Sequence, residues 1–230
     1  MPNYCNYELH AYGKKKDIQT LYDWLRADYY YRDDGIIIEV TEENGTKRPV
    51  EHHIGYRVFE ANTTFFEDED IKKASPDEDG LCAYIEGYCA WSVYSCMLET
   101  GQDGLGVTYL DHHKDDKTSR AVSIVEASKI LNLDIEIFSS ESGCCFTEHY
   151  LIKHGELEVN EEGKYYVMFI DKDTTYEDFL KEISNIDNTP LEECKKICPK
   201  ETFDYCQKEE QTFEYNEFIK DNYEYDWNIV

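Results

Sequence analysis

The sequence predicts an α+β protein, an antiparallel sheet with two helices packed on one of its faces. Three observations lead there: short runs of alternating or β-branched residues recur along the chain, two segments place apolar residues three and four apart, and turn-forming residues separate them.

Residues 4–12 alternate as Tyr-Cys-Asn-Tyr-Glu-Leu-His-Ala-Tyr and close on Gly13, a strand ended by a turn. From 14 to about 30, Ile18, Leu21, Tyr22 and Leu25 mark one face of a first helix. Ile36, Ile37 and Ile38 form a β-branched strand before the polar turn Glu42-Glu43-Asn44-Gly45, with 54–59 as its expected hairpin partner. Acidic clusters at 67–70 and 75–80 flank Lys72 and Lys73, a composition suited to an exposed loop, so about 41–80 is expected to be a long insertion. Residues 81–97 lack a helical period and predict a long strand with Tyr84, Glu86, Tyr88, Ala90 and Ser92 on one face and Trp91 near the core.

A glycine-bearing connection over 99–117 leads to Thr118 or Ser119, the expected cap of a second helix through Leu131. Its apolar face would use Val122, Val125, Ile130 and Leu131. Strands are expected at 133–138, 146–152 and 165–170, and a helix from Thr174 or Thr175 to about Ile186. Pro190 and Pro199 then punctuate a cysteine-bearing segment. The expected organisation is an α+β domain over 1–170 and an acidic, helical C-terminal extension over 171–230, packed on or beside it.

Composition narrows the function classes. Hydrophobic residues make up 41% of the 230 and aromatics 14%, enough to build a core despite the charge. No stretch approaches the roughly 20 apolar residues of a membrane helix, and no basic segment followed by an apolar one opens the chain, so a cytoplasmic protein is expected. Nine cysteines without a signal peptide point to thiols rather than a disulfide framework. Their wide spacing, as at Cys82, Cys89 and Cys96 or Cys194, Cys198 and Cys206, does not suit zinc. Fifty acidic residues against 23 Lys and Arg give a formal charge of -27, which disfavours nucleic acid and anionic membrane and favours a basic partner.

Candidate chemistry is sparse. His52-His53 and His112-His113 are adjacent pairs, and neighbours in sequence rarely reach one ion, so no metal and no cofactor is expected. Cys144 or Cys145 with His149 is the one nucleophile arrangement available to a cysteine-dependent enzyme. Gly101, Gly104 and Gly106 do not form a phosphate-binding fingerprint. What remains is acid interleaved with tyrosine, over 28–34 around Tyr29, Tyr30 and Tyr31 and over 214–227 around Tyr215, Tyr223 and Tyr225. Aromatic faces among regularly spaced anions are what a nucleic acid presents, so such a surface imitates one.

The opening Met1-Pro2-Asn3-Tyr4-Cys5-Asn6 and the strand to Gly13 resemble the YubB-like ferredoxin-like domain family of phages and plasmids, which typically opens Met-Pro-Asn-Trp-Cys. Cys89-Ala90-Trp91 resembles that family's Thr-x-Trp strand with Cys for Thr, and Glu141-Ser142-Gly143-Cys144-Cys145-Phe146 resembles its Glu-x-Gly-x-x-Phe turn. The likeness covers about residues 1–170 and implies a ferredoxin-like sheet, a mobile-element origin in the cytoplasm of a bacterial host, and no catalytic activity to carry over. The expected function is inhibition of a basic host nucleic-acid-binding effector, such as a CRISPR nuclease, by an acidic nucleic-acid-mimicking surface. The expected contacts are Glu67, Asp68, Glu69 and Asp70, then Asp77, Glu78 and Asp79, and in the tail Glu214, Tyr215, Glu217, Tyr223, Glu224, Tyr225 and Asp226. The alternatives are an accessory or structural phage or plasmid protein without a single host target, and the cysteine-dependent enzyme.

Overall fold

The computed structural model describes residues 4–32, 35–55, 57–66, 80–98 and 120–218. Strand β1 (Tyr4–Lys14) leads into helix α1 (Lys15–Leu25), followed by β2 (Asp28–Arg32), β3 (Gly35–Thr41), β4 (Lys47–Pro49), β5 (His52–Ile54), β6 (Val58–Phe66) and β7 (Gly80–Ala90). A π-helical turn, Tyr94–Leu98, comes next. Then follow β8 (Arg120–Val122), α2 (Ile124–Leu131), β9 (Asp134–Glu141), β10 (Phe146–Lys153), β11 (Glu156–Phe169), α3 (Tyr176–Asp187), α4 (Leu191–Ile197), α5 (Lys200–Lys208) and β12 (Thr212–Asn216). The chain divides into two compact units. One holds the described residues through Glu141 together with Glu148–Glu161, and the other holds Ser142–Thr147 and the described residues from Glu162 onward.

Seven strands hydrogen-bond in the order β12-β11-β10-β9-β1-β7-β6. In the first unit β1 lies between β7 and β9, antiparallel to both. Its alternation decides its two faces: Cys5, Tyr7, Leu9 and Ala11 are buried, opposite Cys89, Ile85 and Ala83 of β7 and Ile137 and Ile135 of β9. Helix α1 buries Ile18, Leu21, Trp24 and Leu25 and packs against β1, β5 and α2. Helix α2 opens on a capping box, with Ser123 Oγ accepting from Glu126 N and the Glu126 carboxylate accepting from Ser123 N. It ends on Asn132 in the left-handed conformation. Two small sheets complete this unit, β2-β3-β4 and the parallel pair β5-β8.

A buried carboxylate ties the first unit together. Glu148, 3% exposed on β10, accepts from the Ser139 hydroxyl of β9 at 2.5 Å and from the Tyr150 hydroxyl at 2.7 Å. It also accepts from the backbone N–H groups of Val93 and Tyr94, at 2.9 and 3.3 Å. Charge-assisted bonds from four donors offset the cost of taking a carboxylate out of water.

The second unit is built around Tyr166, Ile170, Phe179, Leu180, Ile183, Phe203 and Phe213, with Cys194, Cys198 and Cys206 buried among them. Phe179 packs edge-on to Phe213 and tilted to Phe203, both at 5.4 Å between ring centres. Strand β12 pairs with the C-terminal half of β11 from Tyr165↔Asn216 to Phe169↔Thr212. The Gln207 side chain donates to the carbonyls of Asp171 and Thr174, closing the loop before α3.

These observations correct the expected fold. The ferredoxin-like arrangement of two helices on one face is replaced by a predominantly antiparallel, seven-stranded sheet with few helices. The sheet does not stop at four strands but runs on past β9 through β10, β11 and β12, and the chain after α1 turns into the separate sheet β2-β3-β4 before β6 reaches the main sheet. The expected insertion over 41–80 contains β4, β5 and β6, and β6 joins the main sheet through β7 instead of the expected hairpin. The long strand over 81–97 stops at Ala90, where Trp91 adopts φ 66 and lies only partly buried. Of the expected second helix, Val122 belongs to β8 and Ile130 is half exposed.

Candidate functional site

The outward face of the first unit's sheet places aromatic rings beside carboxylates. It is produced by strand alternation, since residues two apart on β1, β7 and β9 share a face and cross-strand partners adjoin. At one end Tyr4, Phe59 and Tyr88 form a triad, with ring centres 5.2 Å apart for Tyr4–Tyr88, 5.6 Å for Phe59–Tyr88 and 5.9 Å for Tyr4–Phe59. Tyr4 and Phe59 are 56% and 42% exposed.

A β-bulge makes this triad possible. The β6–β7 register shifts between Val58 and Glu60, so that Phe59 is the extra residue, and Val58 pairs with Cys89 while Glu60 pairs with Tyr88. Tyr7 reaches the bulge from β1 and donates its hydroxyl to the Glu60 carbonyl at 2.8 Å. The path is open only because residue 87 is glycine; a Cβ there would collide with the Glu60 carbonyl and the Tyr7 hydroxyl.

Farther along the face, Glu8 lies between Glu86 and Phe138, and His10 between Tyr84 and Glu136. Burial, followed by the charges of Glu8 and Glu86, pushes the Tyr84 hydroxyl pKa up, and burial followed by Glu60 does the same at Tyr88. His10 is 1% exposed, and burial lowers its imidazole pKa against the opposing influence of Glu136 and Glu8. His149 of β10 stacks on Phe138, with 4.4 Å between ring centres and 4° between planes. Its Nε2 lies 2.8 Å from Glu136 Oε1 and its Nδ1 3.7 Å from Glu161 Oε2. The face therefore offers flat rings for stacking and carboxylates for charge-assisted bonds, the two features that hold a guanidinium.

The residues expected at the partner contact fall differently. Glu67, Asp68, Glu69, Asp70, Asp77, Glu78, Asp79, Tyr223, Glu224, Tyr225 and Asp226 lie outside the described residues, as do His112 and His113. Glu214, Tyr215 and Glu217 serve the second unit internally. Tyr165 donates its hydroxyl to Glu214 at 2.9 Å, Tyr215 stacks on Tyr166, and Glu217 accepts from Lys164 N at 2.9 Å. The segment over 28–34 supplies β2, which pairs with β3.

Cys144 and Cys145 occupy the turn before β10, not a strand, and Cys145 has φ 59. Strand alternation therefore does not relate Cys145 to His149, whose ring is engaged by Phe138 and Glu136. His52 packs on Trp24 at 4.7 Å between ring centres, while His53 is buried. The outward row was signalled in the sequence by the alternation of Tyr84, Glu86 and Tyr88, which the long-strand reading captured. The same period runs through Tyr4, Glu8, His10 and Tyr12.

Comparison with protein-family models, with curated proteins and with solved structures finds no match to this chain. No helix among the described residues is long and apolar enough to cross a membrane.

Proposed function

We propose that the protein acts by binding, and that the outward sheet face receives a basic protein of the class that handles nucleic acid. One observation carries this: rings and carboxylates adjoin across neighbouring strands, with Tyr88 opposite Glu60, Tyr84 two residues from Glu86, and the Phe138–His149 stack held by Glu136. Arginine pairs with carboxylates and stacks on aromatic faces, so a surface rich in both selects arginine-lined grooves. The chain's charge of -27 speeds encounter with such a groove and disfavours direct contact with nucleic acid.

In this proposal the protein belongs to a phage or plasmid and works in the host cytoplasm, blocking a host effector such as a CRISPR nuclease by occupying the groove that holds guide or target. The test measures association with the purified nuclease, with and without its guide RNA, across a salt series. Binding should weaken steeply with salt, be lost when RNA fills the groove, and associate more slowly in a Glu60→Lys, Glu86→Lys variant. Salt-independent binding, or equal binding to the RNA-loaded nuclease, would overturn the proposal.

A further inference from the structure

At the middle of the outward face two carboxylates stand side by side. Glu8 and Glu86 are direct partners in the β1–β7 ladder, where opposite side chains have Cβ atoms about 4.5–5.5 Å apart. Glu86 is exposed and Glu8 half-buried. The row continues to Asn62 on β6 and to Phe138 on β9. Like charges placed directly opposite repel, and the repulsion is relieved when a cation enters between them.

Strand alternation surrounds this pair with rings. Tyr84 and Tyr88 lie two residues to either side of Glu86 and therefore share its face. The Tyr84 hydroxyl is 3.5 Å from Glu86 Oε2, and after burial the charges of Glu8 and Glu86 are what raise its pKa, so it feels both carboxylates. The Tyr88 ring is braced edge-on by Tyr4 and tilted by Phe59. On the β9 side Phe138 is fixed by its stack with His149.

We propose that the Glu8–Glu86 pair is the seat of one arginine of the basic partner, its guanidinium entering between the two carboxylates among the rings of Tyr84, Tyr88 and Phe138. The inference rests on the reading of this face as the docking surface, and it names the group that the face receives. A guanidinium is planar, presents donors on more than one edge, and stacks on aromatic faces, so one group can serve two carboxylates and a ring together. An ammonium is a compact point charge without the fork or the flat face. A divalent cation fits poorly, because calcium takes about six to eight oxygens and among the described residues no three His, Cys, Asp or Glu side chains are placed to hold a metal. His10, one row along between Tyr84 and Glu136, does not supply the missing charge, since burial lowers its pKa and favours the neutral ring.

The arrangement carries a signature that a merely structural pair would not. Replacing Glu86 by Gln removes the repulsion and should raise stability while weakening the cation's hold.

The test titrates the full, isotope-labelled chain with N-acetyl-arginine amide and separately with N-acetyl-lysine amide at low salt, following backbone amide shifts. Shifts should concentrate at Glu8, Tyr84, Glu86 and Tyr88, with the arginine compound binding more tightly. Glu8→Gln and Glu86→Gln should each weaken it about threefold, the scale of one exposed ion pair, while the urea midpoint of Glu86→Gln rises. Shifts spread over the whole acidic surface, equal affinity for the two compounds, or a lower midpoint in Glu86→Gln overturns the proposal. The seat and the wider reading fail separately. A nuclease that binds in the salt-dependent manner, yet equally well to Glu86→Gln, removes the seat alone. An arginine seat mapped on a chain that binds no nuclease removes the blocking function alone.

Discussion

Glu148 Oε2 accepts the backbone N–H of Val93 at 2.9 Å, so a carboxylate on β10 holds the start of a π-helical turn that lies 55 residues earlier in sequence. Replacing Glu148 by Ala strands the N–H groups of Val93 and Tyr94 and the hydroxyls of Ser139 and Tyr150 in a dry interior. The expected loss is about 3–5 kcal/mol, typical of breaking a buried charged network. Glu148→Gln keeps one acceptor oxygen for the Val93 N–H and turns its amide nitrogen towards the longer bond from Tyr94 N. There the Tyr150 hydroxyl can rotate to accept but the N–H cannot, so this variant should lose less than the alanine one while still losing stability. Urea unfolding of the two variants measures both values; equal losses would show that the charge, not the acceptor, matters.

Stability should fall as pH drops from about 6.5 towards 4. Burial, with His52 beside it, lowers the His53 pKa from 6.5 to about 4. Between those values the unfolded chain binds a proton that the folded chain refuses, so the contribution is fully present above pH 6.5 and is lost on acidification through the folded value. The size is on the order of 3 kcal/mol. His10, also lowered by burial, acts with the same sign. Thermal unfolding of His53→Leu across this window should show a shallower decline than the parent chain.

Gly87→Ala should cost at least about 2 kcal/mol, because the new methyl meets the Glu60 backbone and the Tyr7 hydroxyl, and backbone has no rotamer by which to yield. Tyr7→Phe removes only the hydrogen bond to the Glu60 carbonyl and should cost about 1 kcal/mol. Loss of order at the Phe59 bulge in the first variant but not the second is expected in backbone NMR shifts.

Ser123→Ala removes the hydroxyl that accepts from Glu126 N and breaks the capping box of α2. A loss of about 1 kcal/mol is expected, with Ser123→Asp retaining most of the stability. Denaturant midpoints decide between them.

Local pattern was legible where one face is buried and the other wet. β1, β9 and β10 announce themselves by alternation, and α3 by its capping Thr175 and apolar spacing, because those signals lie within a few residues of each other. The pairing was not legible. Whether the strand after α1 joins the main sheet or forms its own depends on contacts between distant segments, and nothing in residues 28–49 distinguishes the two. Trp91 illustrates the limit: an aromatic after an apolar strand reads as core, yet its left-handed backbone turns the chain into the π-helical segment and puts the indole under Arg57. The candidate face was half visible in the Tyr84, Glu86, Tyr88 period. Its other half, the Phe59 triad, exists only because a bulge adds a residue that no periodicity foretells.

That bulge also has a bearing on self-association. β6 ends the strand order of the main sheet, and an end strand carries backbone groups that a second polypeptide can pair with. A straight, apolar border of this kind recruits copies of itself into fibrils. Between Val58 and Glu60 the border is kinked, and it carries a carboxylate next to the extra residue. An incoming strand would lose register there within two residues and meet a like charge from its twin, so this margin of the sheet resists edge-to-edge growth while the rings of Tyr4 and Phe59 stay exposed.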